Sequence, residues 1–560
     1  MNLVRLVFLL FIVSFGFVIH RLFVIQVLHA DAYIPIQKFL KVERVLSLRG
    51  EIQDVSHNPL AVNRRVYTVY GNTKKLNEDR GVVDKIQSIL KISDATMNAT
   101  LRKNNWQKIA SGIDSKVKDT LGTYYPTYLN LEEEWIRSYP EGSLSAHLLG
   151  FVGRDDVGNP QGYIGTEGYF EQELRGLPSV AERESDIRGV SLIGGANDQS
   201  DGRSGLTIRL TIDRTVQSFL ESLLYDGVYR YTAKRGCGIV MEPSSGKVRA
   251  MACVPAFIPR NYFMYQDIDF SNPLISSVYE PGSTFKPLVV AMGLEEKKIK
   301  KKSMFDESGP VQIGEYAIRT WNNEYHGTIS LSEVLAQSSN VGMVRIIQKM
   351  DKGRVENYLK QLGLYEQTGI QLQGEALSLI KDSSEWYPID YATIAFGQGI
   401  AVTPIQLVTA FSTLANGGYL IPPTIVESMT DETGNDIFIL PSRHQRVFST
   451  QTITIMQRLL KNSVDKSEAK YPQKPEGYSF CGKTGTAQIP IEGHYDPDKT
   501  IASFIGYFPC AAGHQTPKYL IFIMYSEPEG SIYGSETAAP TFFEMAKKLI
   551  LYYNIGLQRP

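Results

Sequence analysis

The sequence predicts an α/β domain whose sheet is built from both ends of the domain, with helices inserted between. An α+β region and a membrane-spanning helix precede it. Three observations predict this. The first thirty residues are mostly apolar. From Leu206 onward, strand-like and helix-like runs follow one another, with strands at both ends of the domain. Between them, Ser283 and Lys286 stand three residues apart where an apolar helix begins.

A chain of 560 residues is long enough for two or three domains. Hydrophobic residues make up 43% and charged residues 21%, which suits a globular protein. The 58 basic and 59 acidic residues nearly cancel, so nothing points to nucleic acid as a partner. Without basic runs or Cys/His metal spacing, neither a metal nor a cofactor is expected.

Leu6 to Ile19 is apolar apart from Ser14 and Gly16, and after His20 and Arg21 the run resumes from Leu22 to Leu28. Taken as one helix, Leu6 to Leu28 spans a bilayer with some tilt. Arg21 can snorkel to the far interface. The rival is a cleaved signal peptide, with Ala30-Asp31-Ala32 as its cleavage site. Arg21 separates the apolar core from that site by too much, so an uncleaved anchor is preferred.

Next come Val42 to Leu48, weakly alternating, then Arg49-Gly50-Glu51-Ile52 and a turn at Asn58-Pro59. Arg65 to Tyr70 alternates as a strand does. Val82, Val83, Ile86, Ile89 and Leu90 recur at helix spacing. Asp94 is the expected N-cap of a second helix through Met97 and Leu101. Trp106 to Leu121 is expected to hold short helices. Ser145 to Gly153 reads as a buried segment, in which His147 is packed rather than catalytic. Gly165 to Leu174 is helix-like, and Asp198 to Gly205 is a linker or hairpin loop. No internal repeat stands out.

In the second half, Leu206 to Ile212 is a strand, and Asp213 caps a helix through Val216, Leu220 and Leu224. Two strands, Gly238–Glu242 and Val248–Ala252, flank a Pro-Ser-Ser-Gly turn. Thr403 is an N-cap with Pro404 behind it, Ile405, Val408, Phe411 and Leu414 form a buried stripe, and Gly417 stops the helix. Strands follow at Cys481–Ile489, Ile501–Phe508 and Tyr519–Tyr525, then a helix from about Pro540 to Tyr552. The four cysteines read as small buried hydrophobes. Hairpin register also offers two cross-strand pairs, Cys237 with Cys253 and Cys481 with Cys510.

Pro287 is tolerated only in a first turn, so the helix carrying Ser283 and Lys286 must start close to Ser283. That sets the hydroxyl at the positive end of the helix dipole, one turn from the lysine. A serine needs a base to become a nucleophile. Lys286 serves only if its pKa falls from about 10.4, through desolvation or a second cation, for which Lys483 is the candidate. Ser338 and Asn340 are placed to complete a proton path and bind a substrate amide; Ser338 is alternatively a helix N-cap. Lys483 and Thr484 offer a cation and a hydroxyl to a carboxylate. Gly485 lets a peptide backbone approach an edge strand closely. The N–H groups of Ser283 and Thr486 are candidates for an oxyanion hole. Ser-x-x-Lys alone is weak, since Ser115–Lys118 and Ser244–Lys247 also match. The ordered set Ser-x-x-Lys, Ser-x-Asn, Lys-Thr-Gly is strong, being that of serine β-lactamases and penicillin-binding proteins.

From residue 49 onward the chain resembles a class B penicillin-binding protein, a membrane-anchored D,D-transpeptidase of peptidoglycan synthesis. The resemblance rests on Glu280-Pro281-Gly282-Ser283-Thr284-Phe285-Lys286-Pro287, Ser338-Ser339-Asn340 and Lys483-Thr484-Gly485-Thr486. Arg49-Gly50-x-Ile52-x-Asp54 and Gly165-x-Glu167-Gly168-x-x-Glu171 resemble the family's pedestal motifs, and Gly397-Gln398-Gly399 with Thr403-Pro404 is also similar. The family often has Arg and Gly where Val55-Ser56-His57 stands here, so the pedestal turn is expected to differ.

The resemblance implies a penicillin-binding, β-lactamase-like transpeptidase fold, an antiparallel sheet between helices. It implies a tail at 1–5, a membrane helix at 6–28, an extracytoplasmic pedestal at 29–204 and a transpeptidase domain at 205–556. It implies Ser283 as nucleophile, stem peptides ending in D-Ala-D-Ala as donors, an amine as acceptor, and inhibition by β-lactams. A membrane glycosyltransferase and cell-division proteins are the implied partners. Glu280-Pro281 and the Glu-Gly pedestal motif look more like the division branch than the elongation branch. Arg5 precedes the helix while Arg21, Lys38, Lys41 and Arg44 follow it, so charge does not fix orientation; the implied substrate puts the amino terminus inside the cytoplasmic membrane. A β-lactamase, a D,D-carboxypeptidase, a β-lactam sensor and a non-catalytic scaffold are the alternatives.

Overall fold

The computed structural model describes residues 2–28, 39–45, 47–185, 197–199, 202–438, 444–467, 471–491, 494–510 and 516–557. Ala30-Asp31-Ala32 lies outside them. The chain divides into two compact units, Met1–Ser47 with Gly176–Ser204, and Leu48–Arg175 with Gly205–Pro560.

In the first unit a helix, α1 (Asn2–Phe23), runs on into a π-helical turn, Val24–Leu28. The span Arg5–Leu28 is 24 residues long and apolar enough to cross a membrane, and none of it is buried against protein. At about 1.5 Å per residue it exceeds the roughly 30 Å hydrocarbon layer. Phe39–Val45 pairs antiparallel with Ser179–Ser185, which pairs with Asn197–Gln199. The expected linker at Asp198 therefore begins inside a strand.

The second unit holds two main sheets. The first runs in the order Asp436–Phe438, Val426–Thr430, Thr207–Leu210, Ile52–Gln53, Pro59–Asn72, Trp106–Ile113, with Leu129–Ser138 also on Pro59–Asn72. Thr207–Leu210 is parallel to Ile52–Gln53 and antiparallel to Val426–Thr430, so one sheet carries strands from both sides of residue 205. Arg80–Leu90 and Asp94–Leu101 pack on it through Val83, Ile86, Met97 and Leu101, as their spacing predicts. Ser93, not Asp94, caps the second helix; its hydroxyl accepts from Thr96 N at 3.3 Å. Trp106–Ile113 is a strand rather than a helix, and the helix starts only at Ser115. None of its residues is fully buried, so it lacks the alternation that marks a half-buried strand.

The pedestal motifs meet in one buried clamp. The Glu167 carboxylate, with no exposed surface, takes Arg49 Nε on one oxygen and Arg137 Nε on the other, each at 2.6 Å. Arg49 also reaches Glu171 at 2.7 Å, and Arg137 donates to Gly50 O at 2.8 Å. Asp54 closes the neighbouring turn by accepting from the N–H groups of Ser56 and Asn58, both at 2.8 Å. His57 takes the left-handed conformation there, φ 65°, which glycine would adopt at less cost.

The second sheet consists of β1 (Arg235–Met241), β2 (Val248–Val254), β3 (Cys481–Ile491), β4 (His494–Phe508) and β5 (Tyr519–Ser526), in the order β2-β1-β5-β4-β3 and antiparallel throughout. One face, with Ile239, Phe522 and Ile505, joins the large central core. The other, with Val240, Ile523 and Phe504, packs under α2 (Arg214–Arg230) and a C-terminal helix, Ala538–Tyr552. Burial on both faces explains why Tyr519–Tyr525 is continuously apolar.

Both cysteine pairs are bonded. Cys237 and Cys253 are register partners, with Cα atoms 4.1 Å apart. Cys510 lies just past β4 and reaches Cys481 at the head of β3, with 5.4 Å between Cα atoms. The expected outcome of thiol titration of denatured, unreduced protein is no free thiol; four thiols would contradict the pairing. Loop-closure entropy for the 16-residue separation of Cys237 and Cys253 corresponds to about 3 kcal/mol of stability, to be lost on reduction.

Candidate active site

Ser283 sits in one 3-10 turn, Gly282–Thr284, directly before a helix, α3 (Lys286–Glu295). The turn has local causes. Gly282 is left-handed at φ 56°. Thr284 Oγ1 donates to Pro281 O at 2.6 Å. Pro287 occupies the first turn of α3, where its missing N–H costs nothing. Below the turn, Gly282 N donates to Gly397 O at 3.0 Å. A Cβ on Gly397 would lie 2.3 Å from Gly282 O, so the Gly397-Gln398-Gly399 motif is the floor on which the serine turn rests.

Lys286 has no exposed surface. Its Nζ donates to Ser338 O at 2.5 Å, Ser338 Oγ at 3.0 Å and Asn340 Oδ1 at 2.8 Å. Ser338 Oγ donates to Ser283 Oγ at 2.9 Å. A hydrogen-bonded path thus runs from Ser283 through Ser338 to Lys286. Ser339, rather than Ser338, caps the next helix, α4 (Asn340–Ile347), by accepting from Gly342 N at 2.9 Å. The capping alternative for Ser338 therefore falls to its neighbour. Ser338 is itself left-handed, φ 59°.

Burial, and then the charge of Lys483, hold the Lys286 ammonium well below its usual range; the buried Glu307 carboxylate opposes them. Lys483 is buried too, and burial draws it down to about 7. Its Nζ donates to Thr484 O and Thr484 Oγ1, both at 3.2 Å. Burial and the charge of Lys483 both favour the neutral amine, the form in which a lysine can serve a serine as base. The second cation expected from Lys483 is thus present electrostatically.

Lys483, Thr484, Gly485 and Thr486 lie on β3, which is the edge of its sheet. Such an edge has unpaired backbone groups ready for an added strand. Gly485 was expected to admit a substrate backbone. On the face of the strand, where a side chain would stand, the chain itself comes close: a Cβ there would lie 2.5 Å from Ser503 Oγ and 2.8 Å from Thr284 Cγ2, which leaves the approach of a backbone along the edge a separate matter. Glycine at 485 lets β3 seat against the serine turn. Thr486 Oγ1 accepts from Gly534 N at 3.2 Å.

The sequence did not single out Glu307, Arg137 or Gly534. Glu307 lies in a short strand, Met304–Glu307, and His326 Nδ1 stands 3.2 Å from its carboxylate. No spacing rule links it to Lys286. His147 is packed as expected: its Nε2 is 3.2 Å from Asp269 O and its ring lies edge-on to Phe257, and burial lowers it to about 4.

Comparison with known proteins accounts for the same regions. Residues 236–547 match the penicillin binding protein transpeptidase domain, and residues 44–210 the penicillin-binding protein dimerisation domain. Stage V sporulation protein D of Bacillus subtilis is 31% identical over 95% of this chain and 83% of that protein. Peptidoglycan D,D-transpeptidase FtsI of Escherichia coli K12 is 26% identical over 95% of this chain and 88% of that protein. The crystal structure of penicillin binding protein 3 from Mycobacterium tuberculosis, complexed with aztreonam, shares the fold, with TM-score 0.71 and 23% identity over 92% of this chain and 99% of that one. Since the transpeptidase match alone covers more than half of the chain, and a dimerisation domain precedes it, the chain belongs to the class B penicillin-binding proteins.

Proposed function

We propose that the chain is a peptidoglycan D,D-transpeptidase that cross-links stem peptides through an acyl-serine. The hydrogen-bonded path Ser283–Ser338–Lys286 carries this reading. Ser283 Oγ attacks the carbonyl of the penultimate D-Ala. Its proton passes through Ser338 to neutral Lys286 and then to the departing amine of the terminal D-Ala. The amine of a second stem peptide then attacks the acyl-enzyme, and Ser283 is regenerated. Lys483 and Thr484 hold the donor carboxylate, Asn340 its amide, and Gly485 and Thr486 its backbone along β3. The N–H groups of Ser283 and Thr486 receive the oxyanion. β-Lactams acylate the same serine.

The tail is assigned to 1–5, the membrane helix to 6–28, the pedestal to 29–204 and the transpeptidase domain to 205–556. The amino terminus lies in the cytoplasm and the rest outside it. The disulfides support this orientation, because such bonds persist in oxidising compartments. A septal role, with a membrane glycosyltransferase and division proteins as partners, is supported by the likeness to FtsI.

Labelling with a fluorescent penicillin tests the core of the proposal. Wild type is expected to label covalently and to keep the label for hours, and Ser283→Ala not to label. Rapid loss of the label would make the protein a β-lactamase, and labelling of the alanine variant would remove Ser283 from the mechanism.

A further inference from the structure

Glu280, three residues before Ser283, is not used by the chemistry above. Its carboxylate joins three pieces of the chain. Glu280 leads into the serine turn, and its carboxylate accepts from Gly399 N at 2.9 Å and from the Tyr495 hydroxyl at 3.0 and 3.2 Å. Tyr495 stands across from Pro490, at the far end of the β3–β4 hairpin. All the donors on Glu280 are neutral, and among the described residues no Lys or Arg pairs with it. Burial raises its carboxyl above the usual range, with no cation to offset that. A glutamine would accept the same two hydrogen bonds. A partly exposed carboxylate in this position instead leaves lone pairs and a net charge for a ligand.

The strand direction says which ligand. A donor peptide added antiparallel to β3 has its carboxylate at Lys483 and Thr484 and its scissile carbonyl at Thr486. Its upstream residues then run past Ala487 towards Pro490 at about 3.3 Å per residue. Ala487 also lies beside the serine turn: a Cβ on Gly282 would stand 3.3 Å from Ala487 Cβ. Glu280 and Tyr495 are therefore at the upstream end of the donor track. Donor and acceptor are both stem peptides, so the donor carries the same side-chain amine that serves as acceptor in its neighbour.

We propose that Glu280 is a specificity-determining residue that binds the side-chain ammonium of the donor stem peptide, with Tyr495 fixing the carboxylate for it. This rests on the transpeptidase reading. The full-length protein, in detergent, is given two donors: an N-acyl-lysyl-D-Ala-D-Ala peptide with a free ε-ammonium and its ε-acetylated counterpart. D-Ala release gives kcat/KM for each. Wild type is expected to prefer the charged donor about 10-fold, the worth of one charge-assisted hydrogen bond, and the preference to reside in KM. Glu280→Gln is expected to bring the ratio to about 1, and Glu280→Asp and Tyr495→Phe to retain part of it. Equal losses on both donors in Glu280→Gln would make Glu280 a packing residue and overturn the proposal. So would a wild type indifferent to the charge. A preference for the charged donor that disappears once a separate amine acceptor is supplied in excess would mean that the ε-amine acts as acceptor, and would overturn the donor assignment. Penicillin labelling of Ser283 in the same samples separates these results from failure of the transpeptidase reading, in which neither label nor D-Ala release is seen.

Discussion

Lys286→Met is expected to slow acylation of Ser283 by a β-lactam about a thousandfold, within the range for loss of a general base. Methionine matches lysine in length and suits a buried position, so the change removes the amine with little change in volume. Lys286→Arg is expected to be no better, because a guanidinium stays protonated and cannot accept the serine proton. The pH dependence carries the same argument. Only neutral Lys286 is a base, and burial together with Lys483 holds its ammonium well below the usual range. Acylation therefore rises with pH as that ammonium loses its proton, and levels off well below pH 10. Lys286→Met is expected to lose this limb along with the rate. Lys483→Met removes the repelling charge and is expected to shift the limb to higher pH. Acylation rates measured from pH 5 to 10 on folded variants decide it; an unchanged profile in Lys286→Met would exclude the lysine as base.

Glu167→Ala is expected to cost about 3–5 kcal/mol, the range for breaking a buried ion pair from one side. The side chains of Arg49 and Arg137 are only 9% and 4% exposed, so the loss leaves two guanidiniums facing each other without their shared carboxylate. Arg49 keeps Glu171, and Arg137 keeps Gly50 O. Glu167→Gln retains an acceptor but not the charge, and should fall between wild type and alanine. Urea unfolding monitored by tryptophan fluorescence, with Trp135 near the clamp in sequence, gives the comparison. A midpoint in Glu167→Ala close to that of wild type would mean that the clamp is dispensable.

Much of the site was legible because its parts are local or ordered. Pro287 fixed where the helix carrying Lys286 begins, and the motif order set Ser338, Asn340 and Lys483 beside it. Register arithmetic matched Cys237 to Cys253 because a short turn leaves few alternatives. What escaped depends on long-range packing. Gly485 carries no sign that Thr284 and Ser503 will fill the space beside it. Glu307 influences Lys286 through its charge from a four-residue strand, a proximity that periodicity cannot reveal. Arg137 joins Arg49 on Glu167 only after Leu129–Ser138 has paired with Pro59–Asn72. Trp106–Ile113 was misread because solvation of its side chains erased the period by which strands are recognised.

The sheet that spans residue 205 sets a timetable for biogenesis. Ile52–Gln53 is made early, its parallel neighbour Thr207–Leu210 follows some 150 residues later, and Val426–Thr430 arrives later still. Parallel and long-range pairing is the slow kind, because the chain entropy is surrendered before the contacts form. Until Val426 emerges, Thr207–Leu210 presents an unpaired apolar margin, the kind of surface that recruits chaperones or sticks to a neighbouring nascent chain. The strands before residue 205 can pair among themselves early, but the sheet is completed only by a strand from the far side of the serine.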